Sequence, residues 1–437
     1  DGSTPPSGGG LPRQTIGEAP LSPGQTERWL AAAYDPAACR ALNESFCVSL
    51  SGPVDVPMLK QAIRHVIERH DAFRIRFDLN EPRQILQADA VVDIAEVDLR
   101  QQPEADADAA LDAFCTQASQ TQFALDRAPL VAVSIVYLAD GRVVVHVVAS
   151  HLVFDGWASS VFNAELAASY KALRLGTPVV LPPAESPLRF ALQEQARTSG
   201  PEGADSLAYW QNVLRQAPAL LTLGDRNPPT PRQYCADTLR ARIDGPALSS
   251  LRAVAREQGS TLFQLLLAAV STMLSQRSGQ TAFVISIPFA SQSLQRHGPL
   301  MADGVLDLPL LLNCQADDTP RSLTQRIRTQ LMDAADHPLV TQGAIARALG
   351  RQSAGDRPPF TGIYFNLNPR IDLSDFSPLG AQMHEGRKQG TLSELFFNFY
   401  ESPDNLSLDL HYSTELFSPT CAQGLVDSLV SVCHTFA

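Results

Sequence analysis

The fold of this protein is decided by residues 143–157, which read VVVHVVASHLVFDGW. The first eight of them are rich in β-branched apolar residues, which is typical of a strand. Asp155 then precedes a run, Trp157–Leu175, whose apolar residues repeat at helical spacing before Gly176 ends it. A strand, a short loop and a helix therefore follow one another, and polar side chains and backbone N–H groups converge at such a junction.

The junction contains two ionisable side chains. His151 stands at the end of the strand, where an imidazole can exchange a proton near neutral pH, although a structural role for a buried histidine stays open. A metal site formed with Asp155 lacks a third ligand nearby. Asp155 occupies the position of a helix N-cap and can also pair with a buried arginine, so a structural role is favoured over direct catalysis. Gly156 is predicted to permit the turn and a close backbone approach to substrate.

Composition narrows the class of protein. The 34 basic and 46 acidic residues give a net charge of -12, which disfavours binding to nucleic acid or to anionic membranes. The sequence contains no stretch of eighteen apolar residues, the length that a membrane-spanning helix needs. Seven scattered cysteines without a CxxC pair favour reduced thiols in a cytoplasmic protein over disulfides or a zinc site. P-loop, GxGxxG, GxSxG and HExxH signatures are absent.

The chain divides into three parts by composition and pattern. Residues 1–20 are rich in Gly, Pro and Ser, a composition typical of a flexible interdomain linker in a piece of a longer polypeptide. A mobile chain terminus is the alternative interpretation. A Pro-rich shift near residues 177–186 separates a predicted N-terminal lobe, 21–180, from a C-terminal lobe, 181–437. Helices and strands alternate in both lobes, so the predicted class is α/β.

Six stretches of the sequence resemble the core motifs of nonribosomal peptide synthetase condensation domains. Ser150 through Trp157 resembles the HHxxxDGW motif, here in the form SHxxxDGW. Asn43-Glu44-Ser45 also resembles condensation domains of mixed polyketide–peptide assembly lines. The other stretches follow in the family's order: Leu21-Ser22-Pro23-Gly24-Gln25, Arg69 to Phe77, Ile287-Pro288-Phe289-Ala290, Pro359 to Asn368, and His411 to Phe417.

The resemblance implies an architecture and a set of partners. It implies two chloramphenicol-acetyltransferase-like lobes in a V-shaped pseudo-dimer, with a central tunnel that has His151 midway and is lined by Asn366 and Asn368. Upstream and downstream carrier proteins would dock at opposite mouths, beside neighbouring synthetase domains. Their phosphopantetheine arms would deliver the substrates, and the domain itself would hold no permanent cofactor and no metal.

Three positions depart from the family pattern and leave three functions open. Ser150 replaces the first motif histidine, Gln292 falls where the family has the arginine that pairs with the motif aspartate, and the usual FVNT stretch reads Val305-Leu306-Asp307-Leu308. The implied reaction is amide formation between a carrier-bound acyl thioester and a carrier-bound amine, with His151 catalytic and Ser150, Asp155, Gly156 and Trp157 supporting it. The alternatives are ester formation onto a hydroxyl, which would include chain release, and a non-catalytic platform that recruits a partner.

Overall fold

A computed structural model describes residues 17–294, 298–351, 357–368, 371–402 and 405–437. The helices are α1 Pro23–Tyr34, α2 Pro36–Ala41, α3 Val56–Arg69, α4 Ala107–Ala118, α5 Gly156–Arg174, α6 Pro187–Thr198, α7 Pro201–Leu214, α8 Gly245–Glu257, α9 Leu262–Ser278, α10 Pro320–Asp336, α11 Gln342–Ala348 and α12 Pro419–Phe436. The strands are β1 Glu18–Pro20, β2 Asn43–Ser51, β3 Ile75–Phe77, β4 Arg83–Leu86, β5 Ile94–Leu99, β6 Val131–Leu138, β7 Val143–Ser150, β8 Ala236–Ile243, β9 Ala282–Ala290, β10 Val305–Asn313, β11 Ile363–Asn368, β12 Gly380–Glu385, β13 Leu395–Glu401 and β14 Leu406–Ser413.

The N-terminal lobe is built on a sheet with the strand order β12-β2-β7-β6-β5. Strand β7 lies in its middle, and all of its residues are buried, in agreement with its apolar run. Helices α3 and α5 pack together beside this sheet, because Leu59 and Phe162 share one apolar core with Val145. The central strand and the helix that follows it are therefore held rigidly, and so is the loop that joins them.

The C-terminal lobe has its own sheet and its own core. The sheet has the strand order β10-β9-β11-β13-β14-β8, and α9 is buried within the core beside it. A capping box formed by Thr261 and Gln264 begins α9, and Gly279 ends it in a left-handed conformation with φ of 72°. Two apolar cores with a sheet each confirm the predicted α/β fold in two lobes.

Two of the predicted domain bounds need correction. Residues 1–16 of the predicted linker lie outside the described residues, but Glu18–Pro20 form β1, which pairs with β4, so the linker does not extend to residue 20. Strand β12 comes from the range assigned to the C-terminal lobe, yet it pairs with β2 of the N-terminal sheet. Without β12, the backbone N–H and C=O groups on that side of β2 would be unpaired, which is an unfavourable state for a sheet edge.

Helix α1 brings the two lobes into contact. It begins with a capping box formed by Ser22 and Gln25, and the Gln25 side chain donates to the Leu152 carbonyl at 2.8 Å. Position 24 requires glycine, since a Cβ there would lie 2.3 Å from the Val305 oxygen of β10. The helix therefore lies against the motif loop and against the other lobe at once. Among the described residues, no helix is long and apolar enough to cross a membrane.

Candidate functional site

His151 lies between two carboxylates at the end of β7. Its backbone N–H donates to the Leu42 carbonyl at 2.9 Å. Its Nδ1 is 3.5 Å from Asp303 Oδ1, and its Nε2 is 3.8 Å from Glu44 Oε1. The side chain is 17% exposed while Nδ1 is buried, so the accessible part of the ring lies away from Asp303. This geometry suits a tautomer with the proton on Nδ1 and a lone pair on Nε2.

Asp303 comes from the C-terminal lobe and is held by an arginine of the N-terminal lobe. Arg28 Nη1 is 3.2 Å from Asp303 Oδ2, and Arg28 Nη2 is 3.3 Å from Asp307 Oδ2. Arg28 also donates to the Val305 carbonyl at 3.1 Å. Asp303 is fully buried, so this ion pair joins the lobes directly behind the histidine.

The charges around His151 set its protonation. Burial and the Arg28 cation each lower the pKa of His151, but the Asp303 and Glu44 carboxylates outweigh them and raise that pKa above its ordinary value. Burial alone would raise the pKa of Asp303, yet the positive charges of Arg28 and His151 hold it below the usual range. Asp303 is therefore ionised at neutral pH and stabilises the imidazolium.

Glu44 approaches His151 from strand β2. Its Oε1 lies 2.5 Å from Lys388 Nζ. Burial would raise the pKa of Glu44, but the charges of Lys388 and His151 lower it overall. A second ionised carboxylate therefore stands on the Nε2 side of the imidazole, opposite to Asp303.

Asp155 caps α5 instead of reaching a reacting group. Its Oδ1 accepts from the Ala158 N–H at 2.8 Å, and its Oδ2 accepts from Gln292 Nε2 at 2.7 Å and from the Gly304 N–H at 3.0 Å. Gln292 thus stands opposite Asp155 as expected, with a neutral amide as the donor. A Cβ at position 304 would lie 2.3 Å from the Gln292 Cδ atom, so a larger residue there would displace the Gln292 amide from Asp155.

We expect Gln292→Ala to lower the free energy of unfolding by about 2 kcal/mol, because the buried Asp155 carboxylate loses one donor. Gln292→Glu has nearly the same shape but opposes a second carboxylate to Asp155, so it should destabilise more at neutral pH than under acidic conditions. Urea unfolding of both variants measures these effects. A Gln292→Glu protein as stable as the wild type at neutral pH would contradict the hydrogen bond from Gln292 to an ionised Asp155.

The other predicted motif residues are Ser150, Gly156 and Trp157, which lie at the end of β7 and at the start of α5. Ser150 is buried at the end of β7, and Trp157 is 40% exposed on the first turn of α5. The turn role predicted for Gly156 is wrong: its φ is not positive, and a Cβ there would meet nothing within 4 Å. The open space beside Gly156 leaves room for substrate, and that close approach stays a prediction.

Asn366 and Asn368 form an amide cluster on β11. Asn368 Nδ2 donates to Asn398 Oδ1 at 2.6 Å, and Asn366 Nδ2 donates to Asn368 Oδ1 at 3.1 Å. Asn398 in turn donates to the Tyr400 hydroxyl at 2.5 Å. Burial, then the carboxylates of Glu385, Asp409 and Glu44, raise the pKa of Tyr400 well above its ordinary value. Their role as tunnel-lining residues stays a prediction.

Sequence patterns pointed to His151 but not to Arg28, Glu44 or Asp303 as its neighbours. Each lies in a different segment of the chain, namely α1, β2 and the loop before β10. A charged residue inside an otherwise buried segment was the one available signal, because such a group needs a partner. In the described ranges, no group of three or more His, Cys, Asp or Glu residues is arranged to hold a metal ion.

Comparison with known proteins gives consistent matches. A family model described as "Condensation domain" matches residues 15–437. A linear gramicidin synthase protein of Brevibacillus parabrevis is 27% identical over 92% of this chain and 5% of its own length. Malpibaldin synthetase of Mortierella alpina is 27% identical over 89% of this chain and 7% of its own length. The chain therefore spans a small fraction of each synthetase.

Solved structures share the fold. The first condensation domain of the CDA synthetase superposes with a TM-score of 0.83 at 20% identity, over 96% of each chain. The starter condensation domain of rhizomide synthetase, solved as a mutant in complex with C8-CoA and Leu-SNAC, gives a TM-score of 0.84 at 22% identity, over 96% of this chain and 94% of that one. At these identities the likeness concerns the fold.

Proposed function

The chain belongs to the condensation-domain family, and from this premise we propose that it joins a carrier-bound acyl thioester to a carrier-bound amine to form an amide, within a nonribosomal or hybrid polyketide–peptide synthetase. The observation that carries the proposal is His151, whose accessible Nε2 side faces Glu44 while Asp303 stands behind Nδ1. The relatives named above are synthetases, which supports partners that are carrier domains of the same assembly line. A cytoplasmic location stays a prediction.

Amide formation requires that the two substrates be positioned and that one proton be transferred. The acceptor nitrogen attacks the thioester carbonyl, a C–N bond forms, the C–S bond breaks, and the proton lost by nitrogen goes to the leaving thiolate. An α-amine has an ordinary pKa near 8, so roughly a tenth of it is already neutral at pH 7 and a strong base is not needed. His151 Nε2 can orient the amine and carry the proton, while the charge of Asp303 stabilises the imidazolium that results.

The proposal is tested by mixing the protein with a donor carrier bearing an acyl thioester and an acceptor carrier bearing an aminoacyl thioester. Intact-protein mass spectrometry should show the acyl group transferred to the acceptor carrier as an amide. A hydroxyacyl acceptor tests the ester alternative, which requires product with this acceptor in preference to the amine. Absence of product with every donor and acceptor would overturn the proposal and favour a recruitment platform.

We expect the rate of amide formation to rise with pH through an inflection above 6.5, the ordinary pKa of histidine, because neutral His151 is the form that accepts a proton. Asp303→Asn removes one of the carboxylates that favour the imidazolium but keeps the opposing Arg28 cation, so the inflection should move to lower pH. Single-turnover rates measured across the titration range check this. The acceptor amine titrates equally in both proteins, so an unshifted inflection would contradict the role of Asp303.

A further inference from the structure

Glu44 Oε1 and His151 Nε2 lie close enough together for one atom beside them to hydrogen-bond to both. The 3.8 Å between Glu44 Oε1 and His151 Nε2 is too long for a hydrogen bond. A single atom about 3 Å from each would bridge them at ordinary hydrogen-bond distance. We infer that Glu44 and His151 together bind the acceptor nitrogen, and that Glu44 selects an amine over a hydroxyl. This inference rests on the proposed condensation function.

The backbone holds the two side chains on one rigid surface. Glu44 pairs with Ala149 in the ladder between β2 and β7, and His151 follows two residues later. The backbone of His151 is also bonded to Leu42, the residue before β2. The backbone on both sides is held by these hydrogen bonds, so Glu44 and His151 are already in position before a substrate arrives.

Glu44 is charged and can be reached. Lys388 holds Oε1 at 2.5 Å and, with His151, lowers the pKa of the carboxyl despite its burial. The side chain is 25% exposed. Oε1, the oxygen that is 3.8 Å from His151 Nε2, has a second lone pair besides the one that Lys388 uses, so it can accept a further hydrogen bond.

The negative charge of Glu44 affects attack by a nitrogen nucleophile and attack by an oxygen nucleophile differently. An amine that attacks the thioester becomes positively charged at nitrogen until it loses its proton, and an adjacent carboxylate stabilises that charge. A hydroxyl must instead lose its proton as it attacks, so its oxygen carries no comparable positive charge and gains less from the carboxylate. In both reactions the C–S bond breaks and the thiol leaves with one proton, so the difference lies in the charge of the attacking atom.

The test uses matched acceptors that differ only in carrying an α-amine or an α-hydroxyl on the same carrier. For Glu44→Gln we expect the ratio of kcat/KM for amine to that for hydroxyl to fall by about tenfold or more, the contribution of one charge-assisted hydrogen bond. Glu96→Gln is the matched control, because Glu96 lies in β5 of the same sheet and also pairs with a lysine, Lys60, at 2.6 Å. It should leave the ratio unchanged.

Binding without a donor separates this inference from the proposed function. Titration calorimetry with aminoacyl and hydroxyacyl pantetheine thioesters measures the preference for one acceptor even in a protein that forms no product. Glu44→Asp keeps the charge and should retain the preference for the amine, whereas Glu44→Gln should lose it. Thermal unfolding shows whether each variant is folded. An equal loss for both acceptors in Glu44→Gln, or a ratio that falls as much in Glu96→Gln, would overturn the inference.

Discussion

Replacement of His151 with alanine is expected to lower the rate of amide formation about 10²–10⁴-fold, the usual contribution of a positioned acid–base group. The loss follows from the site, because His151 Nε2 lies on the accessible side of the ring and is 3.8 Å from Glu44. The surrounding carboxylates remain in the variant but are weaker bases than an imidazole, since neighbouring cations lower the pKa of both. Single-turnover transfer between loaded carriers, followed by intact-protein mass spectrometry, measures the effect.

A matched histidine variant shows whether the effect is local. His65 lies on α3 outside the site, and His65→Ala should retain the wild-type rate. Thermal unfolding of both variants shows whether each of them is folded. Full activity in His151→Ala would remove His151 from the mechanism and leave positioning of the two carrier arms as the main source of catalysis.

Replacement of Arg28 with methionine is expected to lower the free energy of unfolding by about 3–5 kcal/mol, the cost of leaving buried charges without their partner. Arg28 is the cation paired with both Asp303 and Asp307, and it links α1 of one lobe to the segment around β10 of the other. Methionine keeps much of the apolar stem, so the change reports mainly on charge. Urea unfolding at neutral pH measures the loss.

The pH dependence of this loss has a definite sign. Arg28 lowers the pKa of Asp303 in the folded protein, so its contribution to stability is present above the ordinary aspartate pKa of about 3.9 and is lost as pH falls through the lower folded value. The difference between wild type and Arg28→Met should therefore shrink below about pH 4. Arg100→Met, which breaks an exposed pair with Asp98, serves as control and should change the free energy of unfolding far less than Arg28→Met does. A constant difference at all pH values would contradict the ion-pair explanation.

Much of the fold could be predicted from local patterns. The β-rich run of β7 and the N-cap at Asp155 predicted the strand–loop–helix junction, because strand propensity and helix capping depend mainly on residues near in sequence. The same patterns placed His151 at the strand end. Strand β12 could not be predicted as part of the N-terminal sheet, since its pairing with β2 joins segments far apart in the sequence.

The sequence by itself determined the α/β class, the junction that carries His151 and the family resemblance. The tertiary structure alone decided what surrounds that histidine: Asp303 reaches Nδ1 from the other lobe, held by Arg28 of α1, and Glu44 reaches Nε2 from β2. Residue spacing reports which face of an element is buried, but it does not report which distant side chain meets that face. The protonation of His151 depends on Asp303 of the other lobe as well as on Arg28 and Glu44 of its own lobe, so it is decided where the two lobes meet.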